Sequence, residues 1–343
     1  MSNGIVKKIA GTFSLLLLLF IKGYPQDTDI DFVRLMFYNV ENLFDIYDDT
    51  LTDDDEFLPG GLRRWNYKRY NTKINSLYKT IIAAGEWQPP AIIAFCEVEN
   101  RKVLEDLIYK TNLSKYKYDI VHEDSPDERG IDVALIYRKE IVKLVGSSYL
   151  KTLAVTGTGF RTRDVLYTSF LINNDTVHLF VNHWPSRRGG VLAGQPQRMK
   201  IAAMVRSKID SLNSKSHGKA RIIITGDFNA TPDDEVMSIL TEKNEESNGS
   251  MLNLSERLPP GSGTYRYKGT WEIIDQFIVS DQLLNKRAAI FTDHDNLRIF
   301  SSGFLLKKDL NYPGLSPNST YYGYRYQGGY SDHLPVLLDL MLR

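Results

Sequence analysis

The sequence predicts an α/β protein in which packed, mixed β-sheets are flanked by helices. Apolar, β-branched runs of strand length recur along the chain, as over 91–96, 131–137 and 222–224. Long helical periodicity is confined to a few segments. The clearest, over 65–84, puts Tyr70, Ile74, Leu77, Tyr78, Ile81 and Ile82 on one face. Many strands with few long helices fit packed sheets better than a bundle, and no Pro/Gly/Ser-rich linker divides the chain.

The elements follow in order. A strand over 32–39 leads into an acidic loop over 45–56, read as solvated and mobile, and then into the 65–84 helix. Pro89 and Pro90 close the connection before a buried strand over 91–96. A helix over 101–110 turns Val103, Leu104, Leu107 and Ile108 inward. Strands are expected over 116–122, 131–137, 141–147, 165–172 and 177–182, followed by a long helix over 196–212. The run from Ile222 ends in Gly226-Asp227-Phe228-Asn229, and Thr231-Pro232 stops it. A short helix over 233–240 and strands near Tyr265, over 273–279 and over 334–340 complete the chain. Gly130-Ile-Asp-Val-Ala-Leu-Ile-Tyr echoes Ile273-Ile-Asp-Gln-Phe-Ile-Val-Ser, a hint of two related halves.

Residues 1–26 read as a secretory leader: Lys7 and Lys8 precede an apolar run over 9–21. The run is shorter than the roughly 20 residues of a membrane span. A retained N-terminal anchor is the alternative; otherwise no stable membrane span is expected. Either way residues 27–343, read as one domain, are placed outside the cytoplasm, in the periplasm or beyond. Basic and acidic residues balance at 42 each, and losing Lys7, Lys8 and Lys22 leaves a slight acidic excess. That excludes a protein coated with positive charge for nucleic acid. Cys96 is the only cysteine, so no intramolecular disulfide can form.

Several strands end in side chains that are costly to bury. Asn39 closes the first; Glu97 closes the second, with Glu99 two positions on and expected on the same side. Asn182 and His183 close another, Asp275 interrupts an apolar run, and Asp332-His333 precedes the last strand. Alternation sends Asp227 and Asn229 to one side. Each has a local alternative: an Asx turn for Asp227 and Asn229, caps for Asn39 and Glu97, a core partner for Asp275 or His183. Together, unpaired buried carboxylates costing several kcal/mol each are better explained by convergence on a cation. Oxygen donors suit Mg²⁺, or Mn²⁺, and no His/Cys spacing suits structural zinc. Phosphate-ester hydrolysis matches the set: Asp227 as base, Asn229 orienting water or phosphate, and His333, held by Asp275, as a cationic clamp.

In this order YNVENLF, CEVEN, RGIDVALIY, NHWPSRRGG, GDFNA, IDQFIVS and YSDHLPV resemble the endonuclease/exonuclease/phosphatase superfamily, from about Val33 to Leu340. That superfamily includes pancreatic deoxyribonuclease, abasic-site endonucleases, neutral sphingomyelinases and inositol-polyphosphate 5-phosphatases. The resemblance implies a four-layer α/β sandwich. It implies that Asn39 and Glu97 help hold Mg²⁺, that Asp332 contacts the metal region, and that Asp227 activates water positioned with Asn229. Asp275 and His333 would form a pair, and His183 would meet phosphate with Asn182 beside it. NHWPSRRGG and RGIDVALIYR look closest to a bacterial, often exported branch. Arg187, Arg188, Arg161, Arg163 and Arg129 are candidate substrate contacts, the alternative being solvated loops. The expected function is an exported Mg²⁺-dependent phosphodiesterase, a nuclease. The alternatives are a phosphatase or phospholipase C-type enzyme on a small phosphorylated molecule or lipid head group and, last, an inactive binding module. The partner is nucleic acid or another phosphate ester; no protein partner is implied and a monomer is expected.

Overall fold

The computed structural model describes residues 31–343 except 158, 188–189, 191, 193 and 243–248; the leader over 1–26 and Arg188 lie outside the described residues. The first half runs β1 (Phe32–Leu43), α1 (Tyr67–Gly85), β2 (Ile92–Val98), α2 (Arg101–Tyr109), β3 (Tyr118–Val121) and β4 (Asp132–Arg138). The second runs β5 (Lys143–Leu150), the single turn α3 (Leu153–Thr156), β6 (Val165–Ile172), β7 (Asp175–His183), α4 (Gln195–Lys215), β8 (Arg221–Asp227), α5 (Glu235–Thr241) and β9 (Met251–Asn253). A hairpin, β10 (Tyr265–Tyr267) and β11 (Thr270–Glu272), precedes β12 (Asp275–Ser280). The short strands β13 (Ile290–Phe291), β14 (Leu297–Ile299), β15 (Leu306–Lys308), β16 (Leu315–Pro317), β17 (Tyr321–Tyr322) and β18 (Arg325–Tyr326) lead to β19 (Val336–Leu342).

Two mixed sheets carry the fold, in orders β13-β19-β1-β2-β4-β3 and β5-β6-β7-β8-β12-β9. Val33, Leu35, Ala94 and Leu135 from one sheet share an apolar cluster with Leu166, Leu179, Ile223 and Phe277 from the other. The alternate residues Met36, Ile93 and Ile136 pack outward on α1 and α2, while Phe180, Ile224 and Ile278 pack on α4 and α5. The expected four layers therefore exist, and strands covered on both faces read as unbroken apolar runs.

The internal echo has a structural counterpart. Each sheet contains a parallel pair joined through a helix, β1-α1-β2 in one and β7-α4-β8 in the other. In both sheets an antiparallel strand lies outside the first member, and two follow the second. β4 and β12, which carry the echoing segments, hold equivalent places.

Element boundaries moved for local reasons. The first helix starts at Tyr67 rather than 65 because Asn66 caps it, its side chain accepting from Lys68 N–H and Arg69 N–H at 3.1 and 3.2 Å. Trp65 is buried outside the helix and donates from Nε1 to the Phe44 carbonyl at 3.0 Å. β1 continues past Asn39 to Leu43, with irregular register between those residues. The two- and three-residue strands between 290 and 326 carry no periodicity that a sequence pattern could reveal.

Candidate active site

The parallel strands β1 and β2, and β7 and β8, run out at one edge of the sandwich, where open α/β sheets house chemistry. Their ends carry Asn39, Glu97, His183 and Asp227, and Asp275 and His333 join from the start of β12 and the approach to β19. Asn39 Nδ2 donates to Asp227 Oδ2 at 3.0 Å and to Glu97 Oε1 at 3.5 Å, and lies 3.4 Å from His333 Nε2. His183 Nε2 stands 3.8 Å from both Glu97 Oε1 and Asp227 Oδ2. His333 Nδ1 is 2.7 Å from Oδ2 of Asp275, which is fully buried.

The backbone is bent to make this arrangement. Glu97 has φ +62° at a register shift between Cys96 and Val98, so a bulge re-aims its side chain. Glu41, Asn42 and Asn229 are also left-handed, at φ +49°, +56° and +47°. Left-handed non-glycine residues cost energy and gather where geometry serves a site. Gly226 is required for a different reason: a Cβ there would lie 2.3 Å from the Asn182 carbonyl oxygen of the neighbouring strand.

The Asx turn expected as an alternative for Asp227 coexists with the site. Asn229 N–H donates to Asp227 Oδ1 at 2.9 Å, leaving Oδ2 to face Asn39 and the histidines. Asn229 is itself held, its Nδ2 donating to the Trp184 carbonyl at 3.1 Å.

Electrostatics divides the histidines. Burial opposes the His333 imidazolium, but the charge and hydrogen bond of Asp275, with Asp332 and Asp227 beyond, lift its pKa well above the usual histidine value. Burial, and then the charges of Arg163, Arg129 and His333, drive the His183 pKa well below it. The surroundings thus favour the imidazolium at His333 and the neutral ring at His183. Burial and the Asp275 charge raise Asp227 to about 7, against the pull of His333 and the Asn229 N–H. Burial and Glu41 raise Asp332 to about 7 as well, against His333 and Lys73.

Glu97 and Asp332 carry carboxylates of the hard-donor kind suited to a divalent cation such as Mg²⁺ or Mn²⁺, whereas Asn39 turns Nδ2 toward Glu97 and Asp227 and its Oδ1 accepts from Glu41 N–H at 3.0 Å. Donor atoms of Asp227, Asp275 and His333 also lie within 4.8 Å of one another, but the Asp275–His333 couple is committed to its own hydrogen bond and stands apart from that donor set. The residues present fit such an ion.

Most of the other expected site residues are held by partners of their own. Asn182, one residue from His183, points to the opposite face; its Nδ2 donates to the Thr225 carbonyl at 3.2 Å and its Oδ1 accepts from Trp184 Nε1 at 3.1 Å. Arg163 is buried, donating to Asp127 Oδ2 at 3.0 Å and the Trp184 carbonyl at 2.7 Å. Arg129 lies 3.7 Å from Asp127 with its head partly in solvent, and Arg161 is exposed. Arg187 donates to the Asn229 carbonyl at 2.8 Å and pairs with Glu272 at 3.3 Å, which ties its loop to the rim of the site. Glu99 does not share the side of Glu97. The bulge breaks the alternation, and Glu99 instead accepts from Asp45 N–H, where burial raises its pKa to about 8.

Glu41 was not singled out by sequence, although it follows Asn39 by two positions, a spacing that alternation flags. It accepts from Thr320 N–H and Tyr321 N–H at 2.6 and 3.0 Å. Tyr265, whose ring lies 4.9 Å from that of His333, also passed unmarked.

Residues 34–342 match the model of the Endonuclease/Exonuclease/phosphatase family. No curated protein matches the sequence. Among solved structures, humanized D. rerio TDP2 aligns with a TM-score of 0.57 and 14% identity, over 90% of this chain and 99% of that one. An endonuclease/exonuclease/phosphatase from Bacteroides vulgatus aligns at 0.57 and 14%, over 91% and 99%. A mannosyl-6-phosphatase from Bacteroides thetaiotaomicron aligns at 0.57 and 14%, over 90% and 100%. With the four-layer sandwich and the acidic, histidine-bearing cluster at its strand ends, the match over nearly the whole described chain means that this protein belongs to the endonuclease/exonuclease/phosphatase family and is a phosphoric ester hydrolase.

Proposed function

We propose that the protein is an exported, Mg²⁺-dependent phosphodiesterase that cleaves nucleic acid. The observation that carries the chemistry is the pairing of a buried Asp–His couple, Asp275 and His333, with a second carboxylate, Asp227, whose Oδ2 lies 3.9 Å from His333 Nε2. Export follows from the leader read in residues 1–26. Among the described residues no helix is long and apolar enough to cross a membrane.

Asp227 is placed to act as the base. With Oδ1 fixed by Asn229 N–H, Oδ2 accepts a proton from water as its oxygen bonds to phosphorus and the bond to the leaving oxygen breaks. His333, charged because Asp275 holds Nδ1, offers Nε2–H to a phosphoryl oxygen. Neutral His183 can donate a hydrogen bond to the phosphate without adding charge. Glu97 and Asp332 would hold Mg²⁺, which when bound supplies positive charge to the phosphoryl and leaving oxygens; Asn39 would join them only by turning its amide, since its Oδ1 here accepts from Glu41 N–H.

The fold does not choose the ester. A similar structure, D. rerio TDP2 at a TM-score of 0.55 and 15% identity, holds a single-strand DNA product, whereas the B. thetaiotaomicron relative is a mannosyl-6-phosphatase. The phosphatase reading therefore stands as the second, and one experiment separates the two. Purified protein with Mg²⁺ is assayed on plasmid DNA, RNA, a generic phosphodiester and a panel of phosphomonoesters, beside Asp227→Ala and His333→Ala. Cleavage of polymers but not monoesters supports the nuclease. Turnover of monoesters alone replaces it with the phosphatase, and no turnover above the variants removes both.

A further inference from the structure

Lys73 lies on the outer helix α1, yet its side chain runs inward and is 1% exposed. Its Nζ donates to Thr320 Oγ1 and to the Tyr330 carbonyl, both at 2.6 Å. These partners sit on the two sides of one neck. Tyr330 N–H donates to the Asn318 carbonyl at 2.6 Å, so the chain leaving near 318–320 and the chain returning at 330 run side by side. The neck is tight: a Cβ on Gly329 would lie 2.1 Å from the Asn318 carbonyl oxygen.

From the returning side the chain passes directly into Ser331, Asp332 and His333. Ser331 Oγ donates to the Asn39 carbonyl at 2.7 Å and accepts from His333 N–H at 3.1 Å. The departing side is gripped by Glu41, which accepts Thr320 N–H and Tyr321 N–H. Glu41 on β1 and Lys73 on α1 thus hold the same residue, Thr320, from two directions. Only Lys73 also reaches the returning side, two residues before Asp332 and three before His333. An ammonium group is well suited to bridging the two sides. It is a compact donor on a long stem; burial lowers its pKa, and the charges of Glu41, Asp332 and Glu97 oppose that shift.

We propose, on the reading that Asp332 and His333 serve the reaction, that Lys73 is a positioning residue. Its ammonium clasps the neck of the 318–331 loop and so fixes where Asp332 and His333 stand against Asp227. The residue touches neither substrate nor reacting atoms; it acts through the loop.

Loss of a buried lysine also costs stability, so the test uses a matched control. Lys73→Met is compared with Leu77→Ala, a buried change one turn along the same helix. Thr320→Val is added because it removes one clasp bond while keeping the volume. Kinetics of phosphodiester hydrolysis with Mn²⁺ are measured where circular dichroism shows each protein folded, beside Asp332→Asn and His333→Ala. The expected result is a fall in kcat of roughly 10- to 100-fold in Lys73→Met, the scale of a small misplacement of reacting groups. Thr320→Val should fall by less, and Leu77→Ala should keep kcat within about twofold, since its helix does no positioning through that side chain. Wild-type kcat in both Lys73→Met and Thr320→Val, with Asp332→Asn and His333→Ala inactive, overturns the clasp alone. If Lys73→Met does not fold, Thr320→Val decides by the same criterion. Wild-type kcat in Asp332→Asn and His333→Ala removes the roles given to those residues, and the clasp with them.

Discussion

Asn39 Nδ2, four residues before the end of β1 in one sheet, donates to Asp227 Oδ2, at the end of β8 in the other, across 3.0 Å. This contact joins the two sheets at their functional edge. It couples a residue of the first β-α-β unit to a residue of the second, 188 positions later in the chain. The site is therefore a product of sheet packing, and neither half holds it alone.

Asp275→Asn tests the Asp–His couple. The carboxylate raises the His333 pKa, so its removal lets that pKa fall, and the imidazolium is lost at a lower pH. The expected outcome is a rate reduced roughly 10²- to 10⁴-fold, with the alkaline limb of the profile moved to lower pH. A pH–rate profile of kcat/KM checks it, and an unmoved limb would show that Asp275 is not what charges His333.

Metal binding should release a proton near neutrality. Asp332 is raised to about 7, so below that pH a bound proton competes with the cation, and above it the carboxylate is free. Apparent Mn²⁺ affinity should rise as pH passes from about 6 to 8 and level off above. Calorimetry in two buffers of different ionisation enthalpy reads the protons released. Equal affinity at both ends of that range, with no proton release, would contradict the raised pKa of Asp332.

A structural prediction concerns Arg34, which lies opposite Asp339 in the β1–β19 ladder. Its Nε and Nη2 meet Oδ1 and Oδ2 at 2.8 and 2.9 Å, and both residues are buried. Arg34→Ala leaves a buried carboxylate whose remaining charged partner among the described residues is Arg298, at 3.0 Å. Breaking such a pair costs about 3–5 kcal/mol. Urea unfolding should show the midpoint falling with little change in slope; a loss below about 1 kcal/mol would place Asp339 in effective contact with solvent.

The sandwich was legible because its strands are covered on both faces and so appear as apolar runs, and because the echo between the β4 and β12 segments marks equivalent places. Convergence of Asn39, Glu97, Asp227, Asp275 and His333 was legible because each is a polar residue that ends, interrupts or leads into such a run. What alternation could not convey was the bulge at Glu97, where a left-handed residue ends the period of two and sends Glu99 elsewhere. Asn182 shows the opposite error. Its neighbour His183 is the residue that faces the cluster, and strict alternation already turned Asn182 away. Arg163 looked like a loop arginine free for phosphate, yet it is consumed by Asp127 and a carbonyl, partners set by tertiary packing. Lys73 gave no signal, since a lysine on an amphipathic helix reads as solvated until the far loop is seen to fold over it.

The central claim is that Asp227 activates water for phosphate-ester hydrolysis at this inter-sheet site. Steady-state cleavage of a phosphodiester by folded Asp227→Asn, with Mg²⁺ and then with chelator, measures it most directly. The account predicts a kcat lowered roughly 10²- to 10⁴-fold with metal present, and a wild-type rate abolished by chelator. An Asp227→Asn protein that turns over at the wild-type rate, or a wild-type rate untouched by chelator, would contradict it.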